Sequence, residues 1–562
     1  MCTDFAYLAQ NIKKVIHAEM KLLISKRYAQ LSLVALSFLH FNLVNAAQPE
    51  QDTPLAAQQH IVINNGAEVA TLDPMRSQGV PESTVILNLL EGLVTTDNYG
   101  HIVAGAALEW NNVQNKVWTF TLRKEARWSD GEPVTAADFV YSWRRLASPE
   151  NASHYSSYLE YAHVENASAV ISGKLPPEAL GIKALSKYQL QVTLNEPVPY
   201  FLAMVTHTAL KPVNRKAVEQ WGDKWTQPAH YVGNGAYSLS DWVINEKIVL
   251  KRNPYYWDNA HTVIEQATFL PLISTSKDVE RYRQNEVDIS DSALPPDMFS
   301  TLKTELGPQV RVTPYLCTFY YELNSKRPPF DDVRVREAVK LSLDRNFITS
   351  KIMGQGQVPA WGFTPPYTDG ADLAVPDWFK QTQAARNQRA RTLLREAGYG
   401  PAHPLTFSLL YNTSDINYKQ AAAAAAMWHE NLGAEVRLDN QPWKNMLEIR
   451  RKGLYDASRA TWCSDYNEPS SFLNVFLSDS SANTSFYHDA AFDALMKKSL
   501  EVSDRLRPQV YQQAEQQLDA DSAFVPVYYR VSARLVKPWV GGFTGKDPRD
   551  SLDIKYFYIT AH

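Results

Sequence analysis

The chain has no glycine-rich phosphate loop, no HExxH pair, no CxxC and no G-x-S-x-G elbow. Phosphate cradling, zinc hydrolysis, dithiol chemistry and hydrolase nucleophiles each need one of those spacings. The 13 histidines are scattered without metal-ligand intervals. Ser-x-x-Lys occurs at Ser274–Lys277 and Ser300–Lys303, but no Lys-Thr-Gly element accompanies either copy. A formal charge of −4 supplies no basic field for nucleic acid. Internal repeats, low-complexity linkers and coiled-coil heptads are absent too. No catalytic residue, metal ligand or cofactor is nominated.

What is present reads as globular. Charged residues make up 21% and apolar ones 45%, proportions of a soluble folded chain, and 562 residues allow several lobes. Thirty-two prolines and 29 tyrosines point to many turns and aromatic-lined surfaces. Residues 1–46 read separately. Lys21, Lys26 and Arg27 form a positive region, and Leu31 to Val44 is an apolar stretch too short to span a bilayer in a mature protein. Val44-Asn45-Ala46 then offers small apolar residues for cleavage after Ala46. The first 19 residues read as an extension from an upstream start codon. A short membrane anchor is the rival, and no cysteine at the cleavage point suggests a lipoprotein. Residues 1–46 carry five Lys/Arg and two Asp/Glu, so removing this +3 from −4 leaves −7.

The mature chain keeps Cys317 and Cys463. In an exported protein that count suits one disulfide, with two buried free thiols as the alternative. The clearest secondary-structure pattern lies between them. LTFSLLYN (405–412) alternates as a strand, Ser414 or Asp415 caps an alanine-rich helix to Leu432, and Gly433 closes it. AEVRLDN (434–440), WKNMLEIRRKG (443–453) and YDASRATW (455–462) continue as strand, helix and strand. This β-α-β-α-β run implies at least partly parallel pairing. Elsewhere, 117–128 reads as a strand pair entering the turn SDGEP, Thr135 caps a helix from Ala136, and 331–345 reads as a capped amphipathic helix.

Ligands of open α/β sheets gather beyond the carboxyl ends of strands, and Asp465 lies just past such an end. Arg459 and Asp465 flank Trp462 and Cys463, while Trp443 and Arg450 sit about two turns apart on the preceding helix. An ordinary turn aspartate and solvated arginines would read the same way.

Longer segments decide between these readings. VWTFTLRKEARWSDGEPVTAADFVYSW, PYLCTFYYELN, PPFDDVRVREAVKLSLDR, LLYNTSD, RATWCSDYNEPSSFLN and ARLVKPWVGGFTGKDP closely resemble the periplasmic oligopeptide-binding proteins of bacterial ABC importers. The resemblance runs through essentially the whole mature chain. It implies an α/β, three-lobed type II periplasmic-binding-protein clamshell that closes by hinge rotation. Lobe I would comprise 47–90, 215–316 and 532–562, lobe II 91–214, and lobe III 317–531, with crossings near 316 and 531. It implies a Cys317–Cys463 disulfide at the hinge edge of lobe III and assigns Asp465 to a peptide's α-ammonium. Trp443, Trp462, Tyr155, Tyr315 and Tyr320 would line the cleft. Val80 and Cys463 would offer backbone groups to an extended peptide. Glu322 and Asn412 would line side-chain pockets, and Arg450 and Arg459 would face the carboxyl end or acidic side chains.

Four positions depart from the family pattern. Met353 stands where a lysine would meet the shortest peptides' carboxylate, and Asn417 where a histidine would meet four-residue peptides. Gln78 replaces a pocket glutamate and Arg530 a cleft-edge tyrosine. The expected function is a periplasmic, monomeric receptor for peptides of two to five residues, tripeptides favoured, that serves a permease and its ATPase. It is expected to be neither an enzyme nor a nucleic-acid binder. The rivals are a binder of murein tripeptide, glutathione or bile acid on the same scaffold, and a peptidase. Asp465 argues against a bile acid, which has no ammonium. N-terminal sequencing of the exported protein should return a start at or near Ala47; a chain beginning at Met1 or Met20 would contradict the leader.

Overall fold

A computed structural model describes residues 47, 49, 50 and 52–562; the leader and its cleavage site after Ala46 lie outside the described residues. Three principal sheets organise the chain. The first runs in the order His60–Asn64, Gln266–Leu270, Lys247–Arg252, Tyr237–Val243, with its first pair parallel and the others antiparallel. Its alternation places Ile61, Ile63, Ala267, Phe269, Ile248 and Leu250 in the interior, the pattern of a sheet with one face on a core. The second, antiparallel, is drawn from the intervening sequence: Ala107–Val113, Val117–Leu122, Gln189–Thr193 and Ile182–Ser186.

The third sheet is mixed and six-stranded, in the order Val358–Pro359, Phe524–Leu535, Val310–Leu323, Ala457–Cys463, Thr406–Asn412, Glu435–Gln441. Thr406–Asn412 pairs in parallel with both Glu435–Gln441 and Ala457–Cys463, as the β-α-β-α-β reading requires. Helix Asp415–Leu432 stops at Gly433, whose φ of 69° favours a residue without a Cβ. Ser414 holds the N-cap position without a side-chain cap bond. At helix Ala136–Ala147, Asp138 accepts from the Thr135 N–H at 2.7 Å and from its hydroxyl at 2.8 Å.

Two expectations need correction. Residues 117–128 do not form a strand pair: Val117–Leu122 is one strand, and its partners are Ala107–Val113 and Gln189–Thr193. Only the isolated bridge Arg127–Pro133 spans the turn that follows. The helix read over 331–345 ends at Leu341, and Asp344, accepting from the Phe347 N–H at 2.9 Å, caps a new short one. A side-chain acceptor inside the pattern restarted the helix rather than extending it.

Two long strands cross the molecule side by side. Val310–Leu323 and Phe524–Leu535 are antiparallel, with their register broken between Pro314 and Thr318, opposite Val531 and Tyr529. Ala533 and Leu535 pack with Val279, Tyr282, Leu294 and Leu302. Beyond the break, Phe319, Tyr321, Leu323, Val525 and Val527 belong to a separate core with Trp428 and Leu409. The pair thus joins two cores through an irregular rung.

Cys317 and Cys463 are opposite one another in the ladder between Val310–Leu323 and Ala457–Cys463, and they form a disulfide. It closes a loop across a sequence separation of 146, for which the chain-entropy account gives at most ~5 kcal/mol. A Cys317→Ser/Cys463→Ser double variant should lose stability up to that amount in equilibrium urea unfolding. The processed chain, unfolded without reductant, should titrate no thiol.

Candidate functional site

A cavity of about 330 Å³ lies between strands of the six-stranded sheet and earlier segments of the chain, among them 65–67, 78–81, 206–208 and 291–293, at the lower end of the ~300–1,000 Å³ typical of small-ligand sites. Strand Ala457–Cys463 delivers Arg459, Trp462 and Cys463 to its wall, with Asp465 just beyond the strand's carboxyl end. Gln78 and Val80 come from the start of helix Val80–Leu89, Tyr155 from the turn before helix Ser157–Tyr161, and Tyr315 and Arg530 from the two crossing strands. Asn412, Asn417 and Trp443 complete the expected set in the wall. Gly79 must be small here: a Cβ would lie 3.0 Å from the Trp443 ring and closer still to the Glu82 carboxylate. The wall next to Val80 can close on Trp443 only because position 79 has no side chain.

The loop carrying Asp465 is tied from several sides. Its backbone N–H donates to Ser471 Oγ at 2.8 Å, and Ser464 N–H donates to the Leu316 carbonyl at 2.8 Å. Arg549 Nη1 donates to the Asp465 backbone carbonyl and to Thr206 Oγ1, each at 3.2 Å, and Nη2 donates to Thr96 at 2.8 Å. Trp462 Nε1 donates to the Ser471 carbonyl at 2.8 Å. The disulfide therefore adds to an already braced corner.

The carboxylate itself meets neutral partners. His207 Nδ1 accepts from the Ala209 N–H at 3.2 Å, which places the ring proton on Nε2. Nε2 then donates to Asp465 Oδ1 at 3.2 Å. Tyr155, stacked on the His207 ring at 4.8 Å, donates its hydroxyl to the same oxygen at 3.4 Å. Burial, then the Asp465 charge, pushes the Tyr155 phenol well up, which keeps it a donor. Both contacts fall on Oδ1, and Oδ2 has no hydrogen-bond partner among the described residues. Among the described residues no lysine or arginine neutralises this carboxylate.

Three expected site residues stand outside the cavity wall. Tyr320 is buried edge-on against Phe363 and Phe524. Glu322 and Arg450 form a bidentate pair at 3.1 and 2.8 Å, closed further by Tyr455, which donates to Glu322 at 2.6 Å, and by Thr484. Alternation explains Tyr320 and Glu322: in Val310–Leu323 both point to the face opposite Phe319 and Tyr321. Arg450 faces Glu322, and the Glu322 charge holds its guanidinium protonated despite burial. Met353 also lies inside, its Sδ accepting from Gln420 Nε2 at 3.0 Å.

Arg459 and Arg530 behave differently. Arg459 reaches Asn412 Oδ1 at 3.4 Å, its Nε lacks a partner, and burial, then the nearby Arg530 charge, lowers its guanidinium to about 10. Asn412 in turn accepts from the Asn417 amide at 3.0 Å. Sequence reasoning missed His207, Arg549 and Thr206. No motif marks them, because each comes from a distant segment.

A cavity walled by distant segments, crossed by two irregular strands and holding a carboxylate with no lysine or arginine partner among the described residues, fits a substrate-binding protein of the clamshell type. Residues 101–484 match the family described as bacterial extracellular solute-binding proteins, family 5, middle. The chain belongs to that family. It is 54% identical to the periplasmic oligopeptide-binding protein OppA of Salmonella typhimurium, over 94% of this chain and 99% of that protein. It is 40% identical to the periplasmic murein peptide-binding protein MppA of Escherichia coli, over 96% and 100%. The crystal structure of Haemophilus influenzae OppA in complex with RPPGFSPFR shares the fold with a TM-score of 0.89 at 48% identity, covering 90% of this chain and all of that one.

Removing one member of the Arg450–Glu322 pair strands a buried charge, at a cost of about 3–5 kcal/mol. Glu322→Gln should lower stability by that amount in urea unfolding. A Glu322→Leu/Arg450→Met double variant, which leaves no charge behind, should cost less.

Proposed function

We propose that this protein captures short oligopeptides in an extended conformation and delivers them to an ABC permease and its ATPase. The observation that carries the reading is Asp465: a fixed carboxylate in the cavity whose donors are neutral and whose Oδ2 has no hydrogen-bond partner among the described residues. Every peptide has an α-ammonium, so such a group sets register without reading sequence. In a closed, dry cleft the charge-assisted bond is stronger than in water. Val80 and Cys463 offer backbone groups to a peptide laid between lobes, and Trp443, Trp462, Tyr155 and Tyr315 present aromatic walls. The relatives' printed descriptions as periplasmic peptide binders support the same reading.

The lobes in this reading are 47–90 with 215–316 and 532–562, then 91–214, then 317–531, and the hinge is the crossing pair at its register break. Residues 1–46 serve as the leader, and the mature chain works in the periplasm. No helix among the described residues is long and apolar enough to cross a membrane. Turnover of the bound peptide forms no part of the proposed role.

Length follows from the cations. Met353 gives a dipeptide carboxylate no charged partner, and Asn417 gives a tetrapeptide only neutral bonds. Arg459 serves the tripeptide. Tri-alanine should therefore bind more tightly than di-alanine by about 1–3 kcal/mol, the range for hydrogen bonds to charged groups. Asp465→Asn should weaken tripeptide binding by about 2–4 kcal/mol, the scale for truncating one member of a buried charge pair. N-acetylated tripeptide should lose a similar amount on the native protein. Calorimetric titration checks all three, and equal binding of acetylated and free tripeptide would return Asp465 to the role of a turn residue.

A further inference from the structure

Of the three arginines in the cavity wall, two have no anion within ion-pair distance among the described residues. Arg459 and Arg530 both line it, and burial, then the Arg530 charge, lowers the Arg459 guanidinium. Arg530 donates to Ser292 Oγ at 3.3 Å and rests over the Tyr315 ring at 5.3 Å. Arg459 rests over Phe319 at 5.4 Å. The wall does contain carboxylates, but none is within ion-pair distance of either guanidinium among the described residues. Asp550 is taken by Arg534 at 2.6 Å, and Asp291 stands beside Ser292, whose hydroxyl donates to it at 3.4 Å. By contrast Arg450, on helix Trp443–Arg451, has its own acid in Glu322.

An uncompensated charge in a partly buried site is costly, and a second like charge nearby adds repulsion. A ligand bringing one carboxylate would satisfy one of them. We infer that Arg459 and Arg530 together select peptides whose last residue is acidic, so that the α-carboxylate and the side-chain carboxylate meet one guanidinium each. This rests on the peptide-binding reading and sharpens it to a substrate class. Arginine suits the task because its planar fork takes a carboxylate with two parallel bonds. The long-range field opposes such a preference, since residues 47–562 carry −7. Selection for acid must therefore come from these local cations.

The test compares Ala-Ala-Glu with its uncharged near-isostere Ala-Ala-Gln, and with Glu-Ala-Ala, by calorimetry on the native processed protein. Ala-Ala-Glu should bind about ten- to a hundredfold more tightly than Ala-Ala-Gln, the gain of one hydrogen-bonded charge. Glu-Ala-Ala, with its acid at the other end, should show no such gain. In Arg530→Gln the Glu-to-Gln ratio should collapse towards one, and in Arg530→Lys it should be retained in part. Equal affinities for Ala-Ala-Glu and Ala-Ala-Gln, with both binding, would overturn the selectivity while leaving peptide capture standing. So would an equal gain for Glu-Ala-Ala, or a ratio unchanged in Arg530→Gln. Failure of all three peptides to bind would remove the peptide reading and this inference together.

Discussion

The rung that pairs Cys317 with Cys463 is the constraint on which the site depends. On one side of it runs the longer of the two crossing strands; on the other, the strand that delivers Arg459, Trp462 and Asp465. Side chains along a strand alternate between faces, so slipping this ladder by one residue would turn Arg459 away from the cavity and expose what is now core. The disulfide fixes the ladder where it ends, two residues before Asp465. Arg549 and Ser471 then hold the loop's backbone, while the carboxylate's Oδ2 makes no hydrogen bond among the described residues.

Charges around this sheet fall into two kinds, and pairing separates them. Arg450 and Glu322 have paid for desolvation with each other and have no capacity left for ligand. Arg459, Arg530 and Asp465 have not: their contacts are neutral donors and acceptors, rings or backbone. A peptide carries opposite charges at its two ends, so a cavity with an open carboxylate at one place and open guanidiniums at another matches that dipolar character. A partly enclosed cavity gives those contacts a lower dielectric than bulk water, which strengthens them.

Much of the sheet architecture was legible in the sequence. The alternation of 405–412, 434–440 and 455–462, with Gly433 and Gly453 as stops, specified a parallel segment, and the strands follow it to within two residues. The misreadings have local causes. Arg127 and Pro133 bracket a turn whose flanks look like strand, and Asp344 restarts a helix that hydrophobic periodicity alone would have continued. Tyr320 and Glu322 were expected beside the ligand because the family resemblance placed them there. The face a side chain takes depends on which side of its strand the cavity opens, and one strand's sequence does not state that.

The sequence by itself determined the type of each segment, the end of the strand at which a ligand would gather, and, through its long matching segments, the family. These are properties of local pattern, set by periodicity, capping and turn chemistry within a few residues. Only the tertiary structure decided which charges are spent and which remain. Arg450 and Arg459 lie nine positions apart and look alike in the sequence. One meets Glu322 from 128 residues away, and the other faces the cavity beside Arg530. His207, Arg549 and Asp465 likewise converge from three distant segments. Whether a charge is neutralised depends on what packs within a few ångströms of it, and that is a property of the folded chain rather than of its order.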